Sequence, residues 1–166
     1  MTKKLMVLMA LAAGWCLAQD AAKEPPKFFK LDFVIKDLDG GKVVTARNYS
    51  MMVATAGHGH SSQIRAGSKV PVTISKMPNT NQYQMYDVGT NIDCDWVKEL
   101  PDGMSFQVTV EVTSLLQDQA ETAPIVRQNK WASEVVVPLK KPTILFSSDD
   151  SSTKHVMQLE VTATPR

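Results

Sequence analysis

Met104-Ser105-Phe106-Gln107-Val108-Thr109-Val110-Glu111-Val112-Thr113-Ser114-Leu115-Leu116 is the stretch that decides the fold. Apolar Met104, Phe106, Val108, Val110 and Val112 alternate strictly with polar Ser105, Gln107, Thr109, Glu111 and Thr113. A helix of that composition would scatter the apolar groups around its axis. A strand places them all on one face, because successive side chains point to opposite sides. Pro101-Asp102-Gly103 stands just upstream with turn chemistry. Pro presets φ, Asp bonds its own backbone and Gly accepts a positive φ. Before that turn, Ile92, Cys94 and Trp96 alternate with Asn91, Asp93 and Asp95. The two runs predict a β-hairpin.

The register of the hairpin follows from burial. If paired residue numbers sum to about 202, then Trp96 faces Phe106, Cys94 faces Val108 and Ile92 faces Val110. Ile92, Cys94, Trp96, Phe106, Val108 and Val110 are thus the expected structural core. A slip of one residue would set each of them against a polar partner.

Working outward, the same period recurs. Phe29, Leu31, Phe33 and Ile35 alternate with Lys30, Asp32 and Lys36. Asp37 to Gly41 makes a turn, and Val43 to Val53 returns as a second strand. Asp37 and Asp39 have the spacing that opens a calcium loop, but the third acid and the closing Glu are missing, so a plain turn is expected. Gly67 to Ser75 is a strand whose Pro71 cannot donate to a ladder, so it belongs at a sheet edge or a bulge. Met77 to Asn81 is turn-rich, and Gly89 after Tyr83 to Val88 predicts a bend or a bulge. Gln117 to Ala123 is a polar loop, followed by an extended run from Pro124 to Val137 with Trp131 in its middle. Thr143 to Phe146 is a short strand, Ser147 to Ser152 a solvated loop. Met157, Leu159, Val161 and Ala163 form the buried side of a last strand. About eight strands and no helical period predict an all-β domain, a single antiparallel β-sandwich or Greek-key barrel-like fold.

The first residues read differently. Lys3 and Lys4 precede an apolar run from Leu5 to Leu17, too short to span a membrane as a helix, and Cys16-Leu17-Ala18 places small residues before Gln19. A signal helix over 1–18, a flexible linker over 19–27 with Pro25-Pro26 and a β-domain over 28–166 are expected. The protein is then exported, to the periplasm or beyond the cell, with outer-membrane association in scope and no transmembrane segment in the mature chain. Removing residues 1–18 also removes Cys16, which leaves Cys94 alone and excludes an internal disulfide. Cys94 is expected as a small buried apolar residue.

Composition narrows the function. With 18 basic and 17 acidic side chains the formal charge is +1, which gives no footprint for nucleic acid. No Gly-x-Ser-x-Gly elbow, His-Glu-x-x-His helix or phosphate loop occurs. Asp93, Asp95 and Glu111 would share the wet face of the hairpin, where crowded carboxylates can serve acid–base chemistry. Such residues also furnish any solvated strand face, so no catalytic residue is assigned and the chain is read as a non-enzyme. His58 and His60 are the one close pair of imidazoles, in a small polar loop from Ala54 to Ser62. They lack a neighbouring acid or thiol to complete a zinc set, so no metal and no cofactor are expected.

The middle of the chain resembles the core domain of secretins, the ring-forming outer-membrane channels of bacterial secretion systems and pili. Gly67-Ser68-Lys69-Val70-Pro71-Val72, then Tyr86-Asp87-Val88-Gly89, then Phe106 to Ser114 follow the order of that core's landmarks. The resemblance covers roughly 65–146. As a whole the sequence also looks like a group of short exported bacterial proteins of unknown function. In that group Arg65-x-Gly67-Ser68, Asn91-Ile92-Asp93-Cys94 and the segment from Lys141-Pro142 to Asp150 are expected to recur. Secretins carry N-terminal ring-building domains that this chain lacks, so the resemblance implies shared strand topology more than a shared channel. It implies a binding or scaffolding module of the cell envelope, with a protein partner or a second copy at the edge formed by Lys69, Val70, Pro71 and Val72. A soluble enzyme using the carboxylates of the 91–111 hairpin and a small outer-membrane β-barrel are the alternatives.

Overall fold

The computed structural model describes residues 25–55, 61–77, 80–116, 125–149 and 155–166. The expected leader, most of the linker and the His58/His60 pair lie outside them. Eight strands follow in chain order: β1 (Phe28–Asp39), β2 (Lys42–Ala54), β3 (Ser62–Met77), β4 (Thr80–Leu100), β5 (Gly103–Leu116), β6 (Ile125–Pro138), β7 (Thr143–Asp149) and β8 (His155–Pro165). They form two four-stranded antiparallel sheets, ordered β2-β1-β8-β7 and β3-β4-β5-β6. The all-β sandwich is thus the architecture: the second sheet is a meander, and the first joins the β1–β2 and β7–β8 hairpins through the pairing of β1 with β8.

Period-two patterning explains why these residues form these sheets. Phe29, Leu31, Phe33 and Ile35 of β1 point inward, as do Leu159, Val161 and Ala163 of β8. Ile92 and Cys94 of β4 meet them from the other sheet, with Met104, Phe106, Val108, Val110 and Val112 of β5 and Val137 of β6. Each of the Phe, Leu, Ile, Val and Met side chains among them contributes about 1.5–3 kcal/mol on leaving water. The sheets are also joined by polar and aromatic links. Tyr49 donates to the Thr90 hydroxyl at 3.0 Å, and the rings of Trp131 and Phe146 lie 6.0 Å apart. Where β6 crosses to β7, the Lys140 amide donates to the Ala163 carbonyl at 2.7 Å, beside an isolated parallel bridge between Leu139 and Ala163.

The register of the β4–β5 hairpin follows the expected sum over seven pairs, from Gly89↔Thr113 through Ile92↔Val110 and Cys94↔Val108 to Asp95↔Gln107. It then breaks. The next pair is Lys98↔Ser105, so Trp96 and Val97 together oppose Phe106. That is a β-bulge, and Trp96 holds it with φ of 54°. One inserted residue inverts the alternation beyond it. Trp96, expected in the core, is 61% exposed, and Val97 takes the inward position at 8%. Two further expectations shift. β4 runs unbroken through Gly89 for 21 residues, and Ser147 to Asp149 continue β7 instead of opening a loop.

Candidate functional site

Within the described residues, the β3 edge and the carboxylates of the hairpin carried functional expectations, and Cys94 an expectation of burial. The structure puts β3 at the outer margin of its sheet, where order, not side chains, leaves one row of backbone groups without a strand neighbour among the described residues. Lys69 and Pro71 are exposed and Val70 is half-buried. Val72, expected on the open edge, is buried at 7%. Alternation turns Val72 to the covered face, so it offers only its backbone to a neighbour. Lys69 and Pro71 are also the residue types that discourage indiscriminate edge pairing.

The hairpin carboxylates are separated by their partners. Asp93 accepts from Arg65 Nη2 at 2.6 Å, across the β3–β4 ladder. Arg65 Nη1 donates in turn to the carbonyl of Ile64 at 3.0 Å and, more distantly, to that of Ile92 at 3.5 Å. Glu111 lies 3.9 Å from Lys130 on β6. Asp93 and Glu111 therefore each sit beside a cation from a neighbouring strand, which is how an antiparallel sheet matches charge across its wet face. Among the described residues, no group of three or more His, Cys, Asp or Glu side chains converges. His155 stands beside Asp37, with Nδ1 3.4 Å from Oδ1.

Cys94 is fully buried between the sheets. Burial pushes its thiol up to about 12, and the charges of Asp95 and Asp93 add to the shift. The reactive form is the thiolate, so this environment suppresses nucleophilic chemistry.

A feature that sequence reading missed lies where β3, β4 and β5 meet. Gly67 of β3 pairs with Gly89 of β4, and Gly89 pairs with Thr113 of β5. A Cβ on Gly89 would lie 2.2 Å from the Ala66 carbonyl oxygen, and its φ is +152°. Only glycine fits so close an approach in that conformation. Gly89↔Thr113 is also the last β4–β5 pair. Below it, among the described residues, β4 continues to Thr80 paired with β3 alone, while Ser114 to Leu116 pair with β6 alone. The sheet forks there. A cavity of about 390 Å³ opens at the fork, lined by Arg65, Lys69, Asp87, Asn91, Gly89 and Thr113 among others. The sequence signal was the two glycines themselves, legible as close-approach positions but not as partners of each other.

No family model matches the sequence, and no curated protein matches it. Solved structures do. The secretin domain of InvG from the Salmonella SPI-1 injectisome is similar with a TM-score of 0.48 and 9% identity, over 85% of this chain and 62% of that one. The type II secretion system secretin XcpQ from Pseudomonas aeruginosa gives a TM-score of 0.42 and 9% identity, over 85% and 57%. A chain of the Klebsiella pneumoniae type II secretion system outer membrane complex of PulD, PulS and the PulC HR domain gives 0.41 and 8%, over 84% and 38%. This chain therefore spans 62% of the InvG chain and less of the other two. In fold, it is similar to the β-domains of secretins.

Proposed function

We propose that this protein is an exported, non-catalytic β-domain that binds a protein partner by strand addition, as a binding or scaffolding module of the bacterial cell envelope. One observation carries the reading: β3, 16 residues long, is a marginal strand of its sheet, paired with β4 on one side and without a strand neighbour on the other among the described residues. A row of backbone donors and acceptors on a rigid sheet is a template for an incoming strand. Lys69 and Pro71 interrupt that row, so a partner must tolerate a missing donor at 71 and a cation at 69. This favours one matched partner over random pairing. The inert Cys94 and the cation-matched Asp93 and Glu111 support a binding role over a catalytic one.

Photocrosslinking in the producing cell tests it. A benzoylphenylalanine at Lys69 is expected to capture a discrete partner, whereas one at Gln107, on the face turned from the core, is not. Replacing Thr73 by Pro, which removes a second donor on the same side of β3 as residue 71, is expected to abolish the adduct while a folded spectrum persists. Equal capture from both positions, or an adduct untouched by Thr73→Pro, would overturn the reading.

A further inference from the structure

β2 stands at the margin of the first sheet, and its far half is exposed on both faces. All seven residues of Lys42–Asn48 are exposed. The direction of the backbone groups follows from two hydrogen bonds. The Thr55 amide donates to the Lys27 carbonyl at 2.9 Å, so odd-numbered residues of β2 direct N–H and C=O toward β1. The Ser62 hydroxyl donates to the Met52 carbonyl at 2.9 Å, so even-numbered residues direct theirs outward. Ala46, Asn48 and Ser50 thus turn both backbone groups away from β1, on a side with no strand among the described residues. That row has two ends. At one, β3 begins with Ser62 beside Met52. At the other, the pairs Asp37↔Thr45 and Leu38↔Val43 leave Val44 as the extra residue of a bulge, which bends the edge. Between them Thr45 to Ser50 offer a ladder of fixed length.

We infer that the margin of β2 from Thr45 to Ser50 receives a short acidic strand of a partner protein. Charge selects that occupant. Lys30, Lys36, Arg65, Lys69 and Lys130 each lie beside a carboxylate. β2 carries Lys42 and Arg47 and no acid, and neither cation is in an ion pair among the described residues. Arg47 stands across from Ile35, and Lys42 stands across from Asp39 without bonding to it. A carboxylate opposite Arg47 on an incoming strand meets a guanidinium that can hold it with two parallel hydrogen bonds. A second copy of this chain is a poor occupant. Twofold pairing of β2 with β2 gathers two cations from each copy and no carboxylate between them. The same cations thus reject self-pairing and select an acidic partner. Val43 and Val44, 54% and 61% exposed at the bulge, give that partner apolar surface to cover. This margin belongs to the first sheet, so it stands or falls independently of the β3 edge.

The test uses the folded chain with labelled probe peptides, acetylated and amidated at their ends. The acidic probe is Ser-Thr-Glu-Val-Glu-Thr-Ser, and two others carry Gln or Lys in place of both Glu. Fluorescence anisotropy is expected to show the acidic probe at least about fivefold tighter than the Gln probe, the scale of one well-placed exposed ion pair. The Lys probe is expected to be weaker still. Amide resonances of Thr45 to Ser50 are expected to shift on binding. Arg47→Gln is expected to erase the preference for the acidic probe, and Arg47→Lys to keep part of it. Asn48→Pro removes an outward donor from a marginal strand and is expected to abolish binding. Arg47→Gln, at an exposed position, keeps the test alive should Asn48→Pro misfold. Equal affinity of the three probes, shifts confined to β3, an acidic preference that survives Arg47→Gln, dimerisation of the chain in place of binding, or no binding up to millimolar acidic probe would overturn the inference.

Discussion

The two halves of β4 share one backbone conformation and opposite surroundings. From Thr90 to Cys94 it is flanked by β3 and β5, and Ile92 and Cys94 are wholly buried. From Gln82 to Asp87 it pairs, among the described residues, with β3 alone, and Tyr83 and Met85 are more than half exposed. The change occurs at the Gly67–Gly89 pair. Strand propensity is similar on both sides of it, so what differs is burial: a strand can be specified by its backbone partner alone, but stability comes from the layer behind it.

The sharpest way to break this contrast is a pair of truncations. Phe106→Ala, which empties the core opposite the buried half, should cost about 4 kcal/mol in urea unfolding. Met85→Ala, in the exposed half, should stay within about 0.5 kcal/mol. Comparable costs would mean that both halves are equally embedded. Next comes the divider itself. Gly89→Val, forced against the Ala66 carbonyl at positive φ, is expected to cost about 3 kcal/mol. If the variant unfolds at the wild-type urea concentration, the fork does not depend on glycine. At the opposite end of the strand, Val97→Ala should cost about 2 kcal/mol and Trp96→Ala less than about 1 kcal/mol. The reverse order would return Trp96 to the core.

Titration sharpens the contrast further at Cys94. Its thiol is held above its unfolded value, so the associated stability is fully present below about pH 8.5 and declines as pH rises toward the folded value of about 12. Cys94→Ala should remove that alkaline decline, and a thiol reagent should label native protein far more slowly than unfolded protein. The smallest effect is expected at Asp32, remote from the fork. Burial raises its pKa, but hydrogen bonds from Lys30 and Ser50 and the Lys30 charge outweigh that and lower it overall. Its contribution is present above an unfolded value of about 3.9 and is lost as pH falls below it. Asp32→Asn should flatten the acid limb of the stability profile slightly, and a steeper limb would contradict the pairing.

These contrasts also mark what the sequence could disclose. Alternation from Met104 to Thr113 specifies which side chains are covered, because one wet and one dry face leave a single phase. It therefore fixes the register from Ile92 to Asp95. It fails at Trp96-Val97, where two adjacent apolar residues make either phase plausible and the larger was the natural choice. Only the bulge, a local backbone event, selects Val97. Likewise Pro71 announced an edge, since a missing donor is a local property. The pairing of Gly67 with Gly89 was invisible, because it depends on the register of two strands separated by a turn. The fork and its cavity arise from that register and from where β5 stops.

β1 lies between β2 and β8, so the second residue of the described fold's first strand, Phe29, is paired with Pro165 near the end of the last. On a ribosome, β1 emerges long before β8 exists. Until those final residues arrive, one side of β1 has no neighbour and the apolar faces of Leu31 and Phe33 lack half their cover. Contacts so distant in sequence make folding slow, and they hold the polypeptide in a threadable state until its last strand is delivered.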